Sequence, residues 1–272
     1  MTQLSTFTVP FLAALMLVGP TQMRSATAAD QPGANSSQVA TESGWTYEIA
    51  PYGWFPGIKG DAALFGSPPL EVDVIFEQLF NGIDWWDIPG FFMVKGEVRN
   101  GRFGLFADVI HLNLEELNTS TPGPFFSTAR LDLGMTIATA LGFYRIAEEG
   151  ESHLDVLLGA RLWSVDVDVA LGTGLLEGVE ASDDNIWVDP VVGVKGQYGF
   201  NNKIFFKGWA MIGGFGVSSD FMWDVFGGLG YQVNDLFSVS AGWRRLDVDY
   251  TKNSFLFDVK VDGPIIEGSF KF

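Results

Sequence analysis

The chain has 272 residues, no cysteine, and 33 Asp and Glu against 16 Lys and Arg, which gives a net charge of −17. This acidic excess argues against nucleic acid as a partner, because polyanions bind positively charged surfaces. The lack of cysteine excludes disulfides, thiol catalysis and thiolate metal sites. Although 47% of the residues are hydrophobic, no apolar run reaches the roughly 18 residues of a membrane-spanning helix, so a helical membrane bundle is excluded.

The first 29 residues are organised like a secretory signal peptide. The longest apolar run extends from Val9 to Pro20, and small residues at 26–29 offer a cleavage site. One feature is atypical, since the first basic residue, Arg24, follows the apolar run. Residues 30–43 are mostly small or polar and predict a flexible periplasmic lead-in. We therefore predict a signal peptide at 1–29, a lead-in at 30–43 and a folded domain at 44–272.

From residue 44 onward, polarity alternates with a period of two, which is typical of strands that face lipid on one side and a polar lumen on the other. In one such segment, Phe237 and Trp243 share a face while Ser238 and Arg244 share the opposite face. The pattern predicts an all-β, antiparallel up-and-down transmembrane barrel. The predicted strands are 44–65, 88–99, 102–115, 127–146, 152–171, 186–200, 203–217, 220–233, 236–250 and 255–272.

Ten strands is an even number, which places both chain ends on the same side of the membrane. If Pro56-Gly57 is a turn, twelve strands become possible. Short turns such as Asn100-Gly101 alternate with long polar connections at 116–126 and 172–185. Since short turns of outer-membrane barrels lie in the periplasm, this alternation predicts which end of the barrel faces outward.

Residues 66–87 do not fit the simple strand pattern. The segment from Glu71 to Phe76 alternates like a short strand, and apolar residues then recur at helical spacing, which predicts a short helix near 76–83. That helix either folds into the barrel mouth as a partial plug or lies at the membrane surface.

Several residues within the predicted strands conflict with a regular barrel. Pro51, Pro190 and Pro264 each remove a hydrogen-bond donor, so we predict β-bulges there. In the segment 152–171, the lipid-facing phase would place Asp166 and Asp168 in lipid, so either a bulge intervenes or the strand has left the membrane by Asp166. Most of the strand tryptophans are expected to form girdles at the membrane interfaces. These tryptophans are Trp45, Trp54, Trp163, Trp187, Trp209, Trp223 and Trp243.

Charged residues of both signs recur on the face that the alternation directs inward. They either form a polar pore lining that sets selectivity or an internal salt-bridge network, because barrels of about eight to ten strands have little free interior. The predicted lumen-lining residues are Glu48, Lys95, Glu97, Arg99, Asp108, Arg130, Asp132, Asp155, Arg161, Lys195 and Arg244.

Residues that could support other chemistry are sparse. His111 and His153 fall near opposite ends of the predicted barrel, which argues against a shared catalytic site. Asp166 with Asp168, and the similar pair Asp247 and Asp249, could bind divalent cations shared with lipopolysaccharide phosphates, or could be solvated strand ends. We predict no catalytic centre, metal centre or cofactor.

The final strand, GPIIEGSFKF, places Phe272, Phe270 and Ile266 on one face. It resembles the terminal signature by which the barrel-assembly machinery recognises bacterial outer-membrane proteins, although Gly268 stands where a larger apolar residue is usual. The stretches WTYEIAPYGWFPGIKGD, GEVRNGRFGLFADVIHL, LLGARLW, WVDPVVGVKG and GWRRLDVDY resemble a poorly characterised family of proteobacterial outer-membrane barrels. The resemblance implies a porin-like or small OmpA/OmpW-like barrel in a Gram-negative outer membrane, in contact with lipid and lipopolysaccharide, and no known reaction.

Three hypotheses about function follow. The first is a narrow porin-like channel for small solutes or ions, motivated by the inward charges. The second is a structural or surface-interaction barrel with a sealed, charged lumen. The third and least favoured is a lipid-modifying enzyme, since neither histidine has a serine and an acidic residue in obvious register with it.

Overall fold

The structure, a computed structural model, describes residues 44–63, 70–74, 91–120, 128–171, 180–252 and 255–272. Of 70–74, 114–120, 128–131, 169, 171, 180 and 181 it describes the backbone alone. The described part of the chain has no helix long and apolar enough to cross a membrane. Its strands are β1 (Trp45–Trp54), β2 (Gly57–Ala63), β3 (Leu70–Val74), β4 (Phe91–Asn100), β5 (Phe103–Ser120), β6 (Thr128–Glu149), β7 (Ser152–Leu171), β8 (Glu180–Gly199), β9 (Ile204–Gly213), β10 (Phe221–Gln232), β11 (Phe237–Lys252) and β12 (Phe255–Lys271).

The strands close into an antiparallel barrel. Each strand from β4 to β12 pairs with the next in sequence, and β1 pairs with both β4 and β12. The strand β2 also pairs with β12, next to the segment that pairs with β1, so β1 and β2 together occupy one position in the barrel. The interruption at Phe55 and Pro56 therefore adds a strand without widening the barrel, and the predicted ten-stranded barrel is confirmed.

The strand β3 pairs with β2 and is extra to the ten-stranded barrel. It corresponds to the short strand predicted from Glu71. The predicted helix near 76–83 lies outside the described residues.

The two ends of the barrel differ in their connections. One end, called here the turn end, carries Gly44, Phe272 and the short connections that follow β4, β6, β8 and β10. In two of these connections, Gly101 and Gly150 have φ angles of 57°, which glycine adopts without steric cost. The opposite end, called the loop end, carries the longer connections and also the two-residue connection between β11 and β12. Apart from that connection, the alternation of short and long connections in the sequence corresponds to the two ends.

Within the residues that the structure describes, four adjacent strands extend far beyond their neighbours at the loop end. The strand β8 continues from Val191 to Glu180 beyond the last residue of β9 with which it pairs, and β5 continues past the end of β4. The strands β5, β6, β7 and β8 therefore form a wall that projects from the barrel at the loop end.

Prolines within the strands do not produce the predicted bulges. The pairing register runs without a shift through Pro190 and Pro264. The Pro190 carbonyl accepts a hydrogen bond from the Gly214 N–H at 3.2 Å, and the Pro264 carbonyl accepts one from the Phe55 N–H at 2.9 Å. In an antiparallel sheet, the N–H and C=O of one residue point to the same neighbouring strand. The missing N–H of Pro190 would therefore point to the end of β9, and that of Pro264 to the break after β1. The β1–β12 ladder likewise skips Pro51.

Register shifts occur elsewhere, between Leu114 and Leu117 in β5 and near Arg145 in β6. The strand β7 pairs with β8 along its length without a shift. Asp166 and Asp168 consequently lie on the outer face, as the lipid-facing phase implied, and no bulge redirects them. They lie on the projecting wall.

A band of large apolar side chains surrounds the outside of the barrel. Leu158 in β7 is 67% exposed, and exposed large apolar residues also occur on β1, on β5 and β6, and on each strand from β8 to β12. Toward the turn end, the band includes many aromatic residues. The exposed aromatic residues there include Trp45, Tyr47, Phe103, Tyr144, Tyr198, Phe200, Phe206, Tyr231, Phe270 and Phe272.

The tryptophans divide between the two faces of the barrel wall. Trp45 and Trp243 are about half exposed on the outside, whereas Trp54, Trp163, Trp187 and Trp209 are buried inside. The prediction that most of them form interfacial girdles is therefore wrong. Alternate residues of a strand point to opposite faces of the barrel wall, so the position of a tryptophan in this alternation decides whether it lies inside or outside. Residue type alone does not decide it, since the inward face carries both polar and apolar residues.

Candidate functional site

The interior contains three successive regions between the turn end and the loop end. A cavity lies nearest the turn end, and an aromatic layer lies nearest the loop end. A charged layer separates the two. Almost all side chains in the charged and aromatic layers are buried. The described residues contain no helix that could act as a plug. The interior is thus closed by side chains of the barrel strands themselves.

The charged layer is centred on two arginines and two aspartates. Arg244 Nη2 donates to Asp108 Oδ2 at 2.8 Å and to Asp224 Oδ2 at 2.7 Å, and Arg244 Nε lies 3.1 Å from Asp224 Oδ1. Arg161 Nη2 donates to the same Asp224 Oδ2 at 2.7 Å. Tyr52 completes the group, because its hydroxyl donates to Asp108 at 2.6 Å and accepts from Arg244 at 3.1 Å.

Further contacts satisfy the remaining polar atoms of this layer. Trp209 Nε1 donates to Asp224 Oδ1 at 3.0 Å, and Arg161 Nε donates to the Thr139 hydroxyl at 2.8 Å. The Arg244 guanidinium lies 4.9 Å from the Trp54 ring centroid. Arg161, Asp224 and Arg244 have no exposed surface. Buried charges of this kind are stable only when paired and fully hydrogen-bonded, and this layer meets that condition.

The aromatic layer consists of rings stacked across the barrel. The ring centroids of Trp187 and Tyr250 are 4.0 Å apart, those of Trp163 and Trp187 are 5.6 Å apart, and both pairs of rings are nearly parallel. Trp187 Nε1 donates to the Ser219 hydroxyl at 2.9 Å, and that hydroxyl donates to Asp189 at 2.6 Å. These contacts fix the stack in place and fill the interior toward the loop end.

The cavity at the turn end has a volume of about 200 Å³ and a predominantly polar lining. Two buried ion-pair groups contribute to it. In the first, Lys95 and Lys207 both donate to the Glu267 carboxylate. In the second, Lys195 donates to Glu97 at 2.7 Å and to Asp155 at 2.8 Å.

Arg145 joins the second group. Its side chain lies 2.8 Å from Asp155 and 2.8 Å from Glu148. Glu148 lies at the turn end, and its hydrogen bond from Arg145 lowers the pKa of that carboxyl. The interior thus carries a salt-bridge network, which was one of the two interpretations of the inward charges.

Most of the predicted lumen residues lie within these groups. Arg161, Asp108 and Arg244 belong to the charged layer, and the other placed residues line or adjoin the cavity. Those other residues are Glu48, Lys95, Glu97, Arg99, Asp155 and Lys195.

Two predicted lumen residues stand apart. Asp132 shares its face with Gly134 and Thr136, whereas Met135 and Ile137 are the buried neighbours. Asp132 therefore lies on the outer face of the wall, opposite Asp168 of β7, and its assignment to the lumen is corrected. The prediction had exchanged the inward and outward faces of this part of β6. Arg130 lies in a part of β6 for which the structure describes the backbone alone.

Several interior residues were missed by the sequence interpretation. Asp224, Glu267 and Asp189 are buried, and so is Arg145. A usable signal was present for Asp224, because Trp223 and Val225 alternate with it in β10. Glu267 likewise stands on the face opposite to the one that Ile266, Phe270 and Phe272 share. The alternation alone could have identified both residues.

The two histidines lie toward opposite ends of the barrel and on opposite faces of its wall. His111 Nδ1 is 2.8 Å from the Thr136 hydroxyl on the outer face, whereas His153 lines the cavity, 3.9 Å from Asp155. They therefore do not contribute to one site. Within the described ranges, no group of three or more acidic or histidine side chains is placed to hold a metal ion.

The paired aspartates lie on the outside, toward the loop end. Asp166 faces Asp184 across β7 and β8, and Asp249 faces Asp258 across β11 and β12. Partial burial and the nearby carboxylates of Asp184 and Asp168 raise the pKa of Asp166. Partial burial and the carboxylate of Asp258 raise the pKa of Asp249 in the same way. Carboxylates crowd together on this surface, so it is strongly acidic.

Comparison with known proteins gives only distant likenesses. No family model and no curated protein matches the chain. Among solved structures, the outer membrane protease OmpT from Escherichia coli matches with a TM-score of 0.48 at 13% identity, over 85% of this chain and 97% of that chain. The attachment invasion locus protein Ail of Yersinia pestis matches with a TM-score of 0.35 at 12% identity, over 85% of this chain and 99% of that chain.

Neisserial surface protein A matches with a TM-score of 0.33 at 13% identity, over 85% of this chain and 98% of that chain. At these values the likenesses carry no inference about what the present chain does.

Replacing Asp224 with asparagine should strongly destabilise the barrel. The Asp224→Asn variant keeps the shape of the side chain but leaves Arg161 without its carboxylate and Arg244 with Asp108 alone. Breaking a buried ion pair in this way costs about 3 to 5 kcal/mol. The free energy of unfolding can be measured in urea by tryptophan fluorescence. Asp235→Asn, which removes an exposed charge from a turn, is the matched control, and equal midpoints for the two variants would contradict the role of the charged layer.

Proposed function

We propose that the protein is an outer-membrane barrel with a closed interior, which acts as a structural or surface-interaction protein and not as an open channel. The observation that carries this proposal is the closed interior, where the charged layer and the aromatic layer follow one another along the barrel axis. The second of the three hypotheses about function is therefore preferred to the porin-like channel.

The outer surface supports a position in a membrane. Large apolar side chains surround the barrel, and an apolar surface this extensive is unfavourable in water. Aromatic residues are frequent at the turn end, as in the interfacial girdles of transmembrane barrels. Charged residues such as Asp247 and Asp166 face outward toward the loop end, and others such as Arg102 and Asp235 are exposed in the connections of the turn end. This arrangement fits lipid around the middle of the barrel and water around the wall.

The orientation follows from the connections. Short turns of outer-membrane barrels face the periplasm. The turn end with both described chain ends is therefore assigned to the periplasm, and the loop end with the wall to the cell exterior. The wall then presents Asp132, Asp166, Asp168 and Asp184 at the level of the lipopolysaccharide headgroups, where divalent cations bridge phosphate groups.

The channel hypothesis requires a continuous aqueous path. Such a path would have to pass Arg244 and Asp224, which are held by several hydrogen bonds, and then the stack of Trp163 and Trp187. Opening it would expose buried ion pairs and separate stacked rings. Breaking a buried ion pair costs about 3 to 5 kcal/mol, and separating each stacked pair of rings adds about 1 kcal/mol. A spontaneously open state is therefore disfavoured.

A positively charged side chain should be tolerated on the wall but not on the apolar band. Leu158→Arg places a guanidinium in the middle of the band, and such a change near a bilayer midplane costs about 2 to 4 kcal/mol. Ser182→Arg, at an exposed position of the wall, is the control and should cost less than about 0.5 kcal/mol. Unfolding measured in phospholipid vesicles distinguishes the two. Similar losses in both variants would mean that the band does not face lipid.

The closed interior should make the protein electrically silent. Purified full-length protein in a planar bilayer is expected to show no discrete conductance steps, and co-flotation with vesicles verifies separately that the protein has inserted. Regular steps from inserted protein would refute the closed interior and restore the channel hypothesis.

Neutralising the wall should weaken the outer membrane if the wall contacts cation-bridged lipopolysaccharide. A triple variant, Asp166→Asn with Asp168→Asn and Asp184→Asn, should let a hydrophobic fluorescent dye enter cells at a lower chelator concentration than wild type. The control removes three charges at the turn end, by Glu149→Gln, Glu151→Gln and Asp235→Asn. Identical dye entry in the two strains would count against a surface role of the wall.

A further inference from the structure

The cavity at the turn end has features of a binding site that the closed-barrel function does not use. Its volume is about 200 Å³, and its lining extends from Trp209 and Phe226 inside the barrel to Gly150, Leu236 and Lys271 at the turn end. A small molecule could therefore enter from that end. The cavity is a property of the barrel itself, so the inference below does not depend on the proposed function.

The charges of the cavity are unevenly distributed over its lining. Lys95 and Lys207 both donate to Glu267, which also accepts a hydrogen bond from the Ser269 hydroxyl at 2.6 Å. One carboxylate between two ammonium groups leaves one positive charge without a counter-charge. Each ammonium group has three N–H donors, so both lysines keep donors for a further acceptor.

The second ion-pair group balances its own charges, because Lys195, Arg145 and Arg99 are paired with Glu97, Asp155 and Glu148. Lys195 is paired with both Glu97 and Asp155. Glu48 and Lys271, which also line the cavity, face each other across β1 and β12. The positive excess is therefore located beside Glu267, on the side formed by β9, β11 and β12.

A free hydrogen-bond donor lies on the same side. Ser238 of β11 is only 9% exposed and lines the cavity, and its hydroxyl has no hydrogen-bond partner within the described residues. This hydroxyl is not fully enclosed, because the enclosed side-chain atoms without a partner in the described part of the chain are Trp163 Nε1 and Ser240 Oγ; it faces the space of the cavity. An acceptor atom in the cavity would satisfy this group.

Aromatic rings form the apolar part of the same region. Lys95 Nζ lies 4.6 Å from the Trp209 ring centroid and 5.2 Å from that of Phe226, and Lys207 Nζ lies 6.0 Å from that of Phe205. All three rings line the cavity. A ligand placed here would meet ammonium groups at one end and ring faces along its body.

We propose that this cavity binds a small organic anion with one carboxylate and an aromatic or apolar body. The carboxylate accepts hydrogen bonds from Lys207 and from the Ser238 hydroxyl, and the body packs against Trp209, Phe226 and Phe205. Burial of the body and the charge-assisted hydrogen bonds both contribute to affinity. Such ligands would reach the cavity from the turn end.

Benzoate is a suitable probe, and calorimetric titration of the purified full-length protein in detergent measures its binding. Benzoate should bind, and its neutral isostere benzamide should bind about tenfold more weakly, because it cannot replace the missing counter-charge. Lys207→Gln should also weaken benzoate binding about tenfold. Lys203→Gln, which removes an exposed lysine from the turn before β9, is the matched control and should leave binding unchanged.

Ser238→Ala provides a second variant that leaves the ion pairs of Glu267 intact, and it should weaken benzoate binding a few-fold. The mobility of unheated protein on gels verifies that each variant is folded. The proposal is overturned if folded wild type gives no benzoate binding, if benzylammonium binds more tightly than benzoate, or if inorganic phosphate binds as tightly as benzoate. It is also overturned if Lys203→Gln weakens binding as much as Lys207→Gln.

Discussion

Inward side chains of a ten-stranded barrel meet across its interior, and this constraint decides most of what the structure contains. Such a barrel is only slightly wider than the smallest ones, whose interior side chains fill the space completely. Arg161 of β7 therefore reaches Asp224 of β10, and Arg244 of β11 reaches Asp108 of β5. Because these charges are removed from water, each must find an opposite charge or a hydrogen-bond partner. The result is a packed interior in place of a free lumen.

The same constraint explains why polar and aromatic residues separate along the barrel axis. Charges close to the turn end can keep some contact with water, so Glu97 and Lys207 tolerate partial exposure. Farther inside, each arginine is enclosed and needs several acceptors. Toward the loop end, Trp163, Trp187 and Tyr250 fill the space. The buried Asp189 carboxylate beside them accepts hydrogen bonds from the Ser219 N–H and hydroxyl. The apolar composition of the outer face and the mixed composition of the interior therefore follow from the different surroundings of the two faces.

Much of the fold could be predicted from local sequence pattern. Alternation of polarity identified the strands, and the predicted end of the strand at 152–171 coincides with that of β7. The break at Pro56-Gly57 was also visible. The errors have physical reasons. Bulges were predicted at Pro190 and Pro264 because the ladders next to them were assumed to be complete, whereas one ladder ends and the other is interrupted there.

The interior partners could not be predicted in the same way. Arg161 and Asp224 lie 63 positions apart in sequence, and their contact depends on how far neighbouring strands are displaced along one another. That displacement is a property of the closed sheet and leaves no local mark on the sequence. Tryptophan was similarly ambiguous, since the same ring suits an interface or a packed interior. Only the phase of its strand distinguishes the two, as Trp187 beside Asp189 illustrates.

The pairing of β12 has a consequence for the order in which the molecule forms. This strand binds β11, β1 and β2, and Trp54 reaches the carbonyl of Gly263 across a separation of 209 residues. The first strands of the chain must therefore wait for the last one before their edges are covered. Contacts this distant in sequence slow folding, because a long loop has to close before they form. Until then the early strands keep an open edge, and the nascent protein depends on protection from aggregation for longer than a chain of local hairpins would.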